Sequence, residues 1–114
     1  MNLRSMLAAT TAGLLLGALP AAAAQDQALI DKGKAVYEAQ RCALCHAIGG
    51  RGNAKGPLDG VGTRLSEADI RKWIVSPKEM KSPTNRKPDM RAYPNLPAGD
   101  LDALVAYMLS LKGA

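Results

Sequence analysis

Hydrophobic residues recur at helical spacing in three stretches of the chain, and the segments between them lack convincing β-strand alternation. The first stretch is residues 27–40, where apolar and small residues follow a near-helical period among good helix formers. The last stretch is the clearest, with an i, i+3, i+4, i+7 stripe formed by Leu101, Leu104, Val105, Met108 and Leu111. Met108 lies on this stripe, so we expect it in the core.

The middle helix is predicted from its start and stop signals as well as from its pattern. Ser66 and Asp69 have the spacing of a capping box, and Pro77 ends the helix. Three apolar residues share one face of it: Ile70, Trp73 and Ile74. The chain is therefore expected to be all-α, with three main helices.

Two long irregular loops separate these helices. Residues 47–65 contain six glycines, and residues 78–97 contain Pro83, Pro88, Pro94 and Pro97. Loops of this length are unusual in a small domain unless they wrap something. The pattern predicts helices and loops arranged around a group that is not protein.

The first 24 residues are predicted to be a secretory signal peptide. Arg4 precedes an apolar run from about Met6 to Leu19, and Pro20 and small residues follow. Cleavage after Ala24 would leave residues 25–114 as one domain in the periplasm, and an uncleaved N-terminal anchor is the alternative. The apolar run is shorter than a bilayer span, and no later segment could cross a membrane.

The composition is poor in aromatic residues, so another group is expected to supply large flat apolar surface. The chain has no Phe, one Trp and three Tyr, and small domains of this kind often need a staple such as a cofactor. The formal net charge is +5 at pH 7. One short stretch collects Lys78, Lys81, Arg86, Lys87 and Arg91. This stretch is either a solvated loop or a docking patch for an acidic partner. Nucleic acid is not expected as a partner, because no aromatic residues interleave with these charges.

Both cysteines and the single histidine fall in one pentapeptide, "CALCH", at Cys42, Cys45 and His46. A disulfide here would close too short a loop to restrain much chain. A redox dithiol expects a βαβ context, and structural zinc needs four ligands. C-x-x-C-H is the attachment motif for c-type haem, in which two thioethers form and the histidine becomes the proximal iron ligand. We adopt haem attachment and keep the disulfide, dithiol and zinc site as alternatives.

With this motif, the sequence resembles a class I cytochrome c over nearly the whole mature chain. "GKAVYEAQRCALCH" is similar to the family's N-terminal helix and haem motif, with Gly33 and Tyr37 at its glycine and aromatic positions and one extra residue before Cys42. "LDALVAYMLSLK" resembles the C-terminal helix, whose Leu104 and Tyr107 match residues that cross the N-terminal helix. The resemblance implies the cytochrome c fold, wrapped round one covalently attached haem.

The resemblance also implies further site residues. "KGPLDGVGTR" is similar to the loop under the haem, in which the residue matching Pro57 offers its carbonyl to the proximal imidazole of His46. Met90 matches the distal methionine, although Arg91 stands where the family often has proline. Met80 is the alternative ligand. Trp73 is expected to pack on the haem or to reach it through its indole N–H, and a plain core role is the alternative.

A haem iron held by His46 and Met90 has both axial positions filled, which suits electron transfer. We therefore expect a monomeric periplasmic one-electron carrier, not an enzyme, that meets redox partners through an acidic docking surface on the partner. Two alternatives stay open. One is a haem subunit fixed in a periplasmic oxidoreductase complex, for example in sulfur-compound oxidation. The other is a haem enzyme or gas sensor with an open distal site.

Overall fold

The structure, a computed structural model, describes residues 12, 13, 17, 21–80 and 87–113. The elements in chain order are helix α1 (Ala21–Ala39), a 3₁₀ turn (Cys42–Leu44), strands β1 (Ala47–Ile48) and β2 (Arg51–Gly52), helices α2 (Val61–Arg64) and α3 (Glu67–Val75), a second 3₁₀ turn (Pro77–Glu79) and helix α4 (Ala98–Ser110). The predicted all-α fold with long loops is confirmed. None of the helices in these described ranges is long and apolar enough to cross a membrane.

Helices α1 and α4 cross in close contact at Gly33. A Cβ atom at this position would overlap the carbonyl oxygen of Ala103 and would lie 2.6 Å from Cβ of Tyr107. One turn further along α1, the rings of Tyr37 and Tyr107 meet edge to face, with centroids 5.8 Å apart and planes at 83°. Glycine therefore lets the two backbones touch, and the aromatic pair closes the crossing. The place of Tyr107 at this crossing is the one that the family resemblance implied.

The apolar core gathers around this crossing. Val105 is 1% exposed and Met108 is 6% exposed, so the predicted core role of Met108 is confirmed. The cluster of buried side chains consists of Val36, Tyr37, Val61, Ile70, Ile74, Leu104, Val105 and Met108. All three long helices and the one-turn helix α2 contribute to it. The core is thus built by packing of helix on helix.

Helix α3 begins and ends where its sequence signals place it. The Asp69 backbone N–H donates to Oγ of Ser66 over 3.1 Å, which satisfies one free amide of the first turn. The helix ends at Val75, two residues before Pro77. On its outer side Arg71 donates to the Asp102 carboxylate over 2.8 Å and so links α3 to α4.

The predicted loop at 47–65 contains more regular structure than expected. Ala47 pairs with Gly52 and Ile48 with Arg51 in a two-residue-per-strand hairpin. Its turn is Gly49-Gly50, with φ of 58° and 78°, the left-handed conformation that tight hairpin turns require. Two-residue strands carry no readable alternation, so the hydrophobic pattern could not reveal them. Helix α2, also unpredicted, occupies the end of this loop.

The N-terminal helix also differs from its predicted bounds. It was expected over residues 27–40, whereas α1 runs from Ala21 to Ala39. The predicted cleavage point after Ala24 falls inside this helix. Most of the predicted signal peptide lies outside the described residues, and its removal stays a prediction.

Candidate functional site

The "CALCH" residues occupy a tight turn directly after α1. Arg41, the residue before it, has φ 55° and ψ 40°, so the chain reverses through a left-handed conformation that is costly for any residue other than glycine. The carbonyl of Cys42 then accepts from the N–H groups of Cys45 (3.1 Å) and His46 (2.9 Å).

The two thiols are free and sit in different surroundings. Cys42 is partly buried and packs against the apolar core, whereas Cys45 is exposed. Burial raises the pKa of the Cys42 thiol above its usual value. One sulfur therefore faces the interior and the other faces solvent, although only two residues separate the cysteines on a single turn.

The imidazole of His46 is held by a carbonyl from the following loop. Its Nδ1 lies 3.0 Å from the backbone oxygen of Gly56. A carbonyl oxygen can only accept, so Nδ1 carries the proton and the Nε2 lone pair of the neutral ring is free to bind a metal. The sequence predicted the Pro57 carbonyl as the acceptor. This prediction is wrong, because the carbonyl at Nδ1 belongs to the preceding residue, Gly56. The Gly56 oxygen also accepts from the Ala47 N–H over 3.0 Å, which turns the Gly56 carbonyl toward the ring.

The residues predicted for the distal side are partly buried: Trp73, Met80 and Met90. They do not belong to the apolar cluster described above, nor to the side chains packed against it. These large apolar side chains are partly buried but lie outside the core. Such a surface fits a site where a flat apolar group packs. Residues 81–86, between the two methionines, lie outside the described part of the chain.

The segment that carries Met90 is tied back to the helices through Tyr93. The Tyr93 backbone N–H donates to the Ile74 carbonyl over 2.9 Å. Its hydroxyl donates to the Gln40 carbonyl over 3.5 Å, a long and weak bond. Burial raises the pKa of Tyr93, and the nearby Cys42 thiol adds to this shift. Tyr93 thus links the end of α3 to the residue that follows α1.

The predicted basic stretch is only partly described. Lys78, Lys87 and Arg91 are exposed, and Lys81 and Arg86 lie outside the described residues. Lys87 forms an ion pair of 2.7 Å with Asp89 and thereby lowers the pKa of that carboxyl. The Arg91 guanidinium lies 5.9 Å from the ring centre of Tyr93.

Together these features define a small helical protein whose single reactive turn offers two thiols and one oriented imidazole. Such a donor set fits a haem attached through two thioethers, with the histidine as an iron ligand. The half-buried apolar residues outside the core fit the same group. No sequence signal identified Gly56 as the imidazole partner. Asn53, whose side chain donates to the Leu44 carbonyl over 3.1 Å, was also missed.

Comparisons with known proteins agree with this geometry. The cytochrome c family matches residues 30–112 of the chain. A cytochrome c oxidase subunit 2 from Alkalihalophilus pseudofirmus is 34% identical over 95 residues, which cover 75% of this chain and 27% of that protein. The chain thus spans about a quarter of the length of this curated relative. No solved structure gave a significant match.

The chain belongs to the cytochrome c family, as a class I c-type cytochrome. It therefore carries haem c, attached covalently through Cys42 and Cys45, and takes part in electron transfer. The predicted family, fold and cofactor are confirmed. The ligand roles of His46 and Met90 and the contact of Trp73 with the haem stay predictions.

Proposed function

We propose that this protein is a periplasmic carrier of single electrons, with His46 and Met90 as the axial ligands of its haem iron. When bound, haem c supplies an iron that takes up and releases one electron. The proposal is carried by one observation: the His46 ring is anchored through Nδ1 on the Gly56 carbonyl, beside two free thiols. This arrangement leaves Nε2 as the nitrogen available to the iron.

The protein side chains have three tasks in this function. Cys42 and Cys45 fix the group to the turn, and Gly56 sets the ring orientation and tautomer of His46. Trp73 and Met90 would cover the opposite face, because both are partly buried outside the core. If His46 and Met90 both hold the iron, they leave it no open position for a substrate, so we propose a carrier and not an enzyme.

We further propose that the protein works as a monomer and meets partners with an acidic docking surface. The exposed cations Lys78, Lys87 and Arg91 support this, since they lie in the loop that carries Met90. Complementary charge speeds encounter between redox partners and makes the rate sensitive to salt. Export through the predicted signal peptide would place the carrier in the periplasm.

The test is the absorption spectrum of the protein produced in a host that attaches haem c, oxidised and then reduced. We expect the weak long-wavelength band of sulfur-ligated ferric iron in the wild type. Met90→Ala should abolish the band, and the matched control Met80→Ala should retain it. A band that disappears only in Met80→Ala would move the ligand to Met80. Absence of the band in the wild type, or ready binding of carbon monoxide at neutral pH, would favour the haem enzyme or gas sensor.

A second candidate function is a haem subunit that serves an oxidase complex. The likeness to a cytochrome c oxidase subunit 2 supports it, because in that relative a segment like this chain is about a quarter of a longer protein. A dedicated subunit should co-purify with its complex at high salt. A free carrier should elute alone, and its turnover should fall as salt rises.

A further inference from the structure

The loop after the hairpin folds back directly onto the "CALCH" turn. Gly52 has φ 108°, and a Cβ at this position would overlap the carbonyl oxygen of His46 and lie 3.1 Å from that of Ala43. Only glycine allows this approach. As a result the next residue, Asn53, lies against the turn that carries both thiols and the imidazole.

Asn53 donates hydrogen bonds to three carbonyls of that turn. Its backbone N–H is shared between the carbonyls of His46 (2.9 Å) and Ala43 (3.1 Å). Its side-chain Nδ2 donates to the Leu44 carbonyl over 3.1 Å. The turn's own backbone bonds use the carbonyls of Arg41 and Cys42, so Asn53 supplies donors to three carbonyls that these bonds leave free.

The same residue also shapes the segment that reaches the histidine ring. Oδ1 of Asn53 accepts from the Lys55 N–H over 3.0 Å, an Asx turn. The Asn53 carbonyl accepts from the Gly56 N–H over 3.1 Å and closes the turn over residues 53–56. The carbonyl of Gly56, at the end of this turn, is the one that receives Nδ1–H of His46.

We propose that Asn53 is a positioning residue for the proximal ligand: it clamps the haem-attachment turn and, through its Asx turn, holds the Gly56 carbonyl on the His46 ring. This rests on the proposed function only in taking His46 as an iron ligand. The amide is suited to the task because it donates and accepts at once. A side chain that only accepts keeps the Lys55 contact and loses the Leu44 contact.

The expected consequence is electronic as well as structural. A hydrogen bond from Nδ1–H to a carbonyl makes the imidazole a stronger donor through Nε2, which favours the ferric iron. Weakening the Gly56 contact should therefore raise the midpoint potential. A residue with a purely structural role would lower stability and leave both the potential and the Nδ1 proton unchanged.

The experiment compares haem-loaded wild type, Asn53→Ala, Asn53→Ser and the matched control Asn95→Ala. Asn95 is exposed, and its side chain makes no hydrogen bond within the described part of the chain. Two readouts are taken on each: exchange of the His46 Nδ1 proton by NMR of the ferrous, nitrogen-15-labelled protein, and the midpoint potential. We expect exchange about fivefold faster in Asn53→Ala, the factor corresponding to the loss of one hydrogen bond, with a raised potential. Asn53→Ser should fall between, since a hydroxyl accepts in a similar turn.

Equal exchange and potential in Asn53→Ala and Asn95→Ala would overturn the inference. If Asn53→Ala does not load haem, Asn53→Ser decides, and no change in its exchange rate would also overturn it. The inference and the proposed function fail separately. Loss of the sulfur band in wild type would remove Met90 as a ligand and leave the Asn53 effect on His46 in place. An intact band with no Asn53 effect would remove only the inference.

Discussion

The crossing of α1 and α4 and the distal segment that carries Met90 are held in different ways. At the crossing, Gly33 and Ala103 bring two backbones into contact, and buried apolar side chains fill the space around them. On the predicted distal side, Trp73 of α3 and Met90 of the following segment are half-buried and lie outside that core. The crossing is completed by protein alone. In our proposal the haem completes the packing of the distal side.

The largest effect is expected from breaking the crossing. Gly33→Ala places a methyl group into the Ala103 carbonyl, a backbone group that cannot turn aside, so the loss should exceed ~4 kcal/mol, above the ~1–3 kcal/mol that overpacking typically costs. Denaturant unfolding of the haem-loaded protein measures the loss. The control is Gly99→Ala, whose new Cβ meets only the flexible end of Lys32 at 3.1 Å. A similar loss in both variants would contradict close backbone packing at Gly33.

The next prediction compares one methionine from each region, Met108 of the core and Met90 of the distal side. Met108→Ala should lower the free energy of unfolding by ~2–4 kcal/mol, since it empties a buried core position, and should leave the long-wavelength band unchanged. Met90→Ala should remove the band. Unfolding curves and ferric spectra of both variants give the comparison. Loss of the band in Met108→Ala would place a core residue on the iron and refute the division.

A smaller effect concerns the phenol of Tyr37 at the crossing. Within the described residues its buried hydroxyl has no hydrogen-bond partner, so Tyr37→Phe should stabilise the protein by ~1 kcal/mol. Burial, with a smaller contribution from the Cys42 thiol, raises the pKa of Tyr37 from 10.0 to about 12.

This shift also predicts a dependence of stability on pH. Below pH 10 the phenol is protonated in both folded and unfolded chains, and its contribution is complete. Between pH 10 and about 12 the unfolded chain ionises first, so the free energy of unfolding falls with rising pH. Tyr37→Phe should reduce this fall. An unchanged pH profile from stability measurements across that range would contradict the assignment.

The smallest effect is expected at the surface link between α3 and α4. Arg71 pairs with Asp102 (2.8 Å) and Glu67 (3.2 Å), and the side chain is 37% exposed. Arg71→Ala should lower stability by ~0.5–1 kcal/mol at low salt, and the loss should shrink in concentrated NaCl. The control Lys87→Ala breaks an exposed pair that joins no two elements, and it should change almost nothing. A larger loss of stability in Lys87→Ala than in Arg71→Ala would contradict the claim that the pair linking two helices contributes more.

The sequence predicted the regions that depend on local signals. The apolar stripe of α4 and the Ser66 cap of α3 depend on residues close together in the chain. The structure shows the cap bond and buries Leu104, Val105 and Met108 of the stripe. The "CALCH" motif identified the cofactor because its chemistry needs those residues at that spacing. Leu104 and Tyr107 were assigned to the crossing through family resemblance, and in the structure Leu104 is buried and Tyr107 lies against Gly33 of α1.

The features that were missed depend on turn geometry, which a sequence pattern does not reveal. The hairpin has only two residues in each strand, and its one signal was the Gly49-Gly50 pair. The acceptor for His46 Nδ1 is the Gly56 carbonyl and not that of Pro57, because the direction of a carbonyl depends on backbone dihedrals that a sequence pattern does not give. The left-handed conformation of Arg41 was also not predicted, because nothing in the neighbouring residues signals it.

The central claim is that Met90 completes the iron site from a segment that packs on the haem. The most direct test is NMR of the ferrous protein labelled with carbon-13 at its methionine methyl groups, since a methyl bound at the iron lies over the haem ring and shifts far upfield. We predict one such methyl resonance, present in the wild type and in Met80→Leu and absent in Met90→Leu. A wild-type spectrum with no strongly shifted methionine methyl, or one that survives Met90→Leu, would contradict the account.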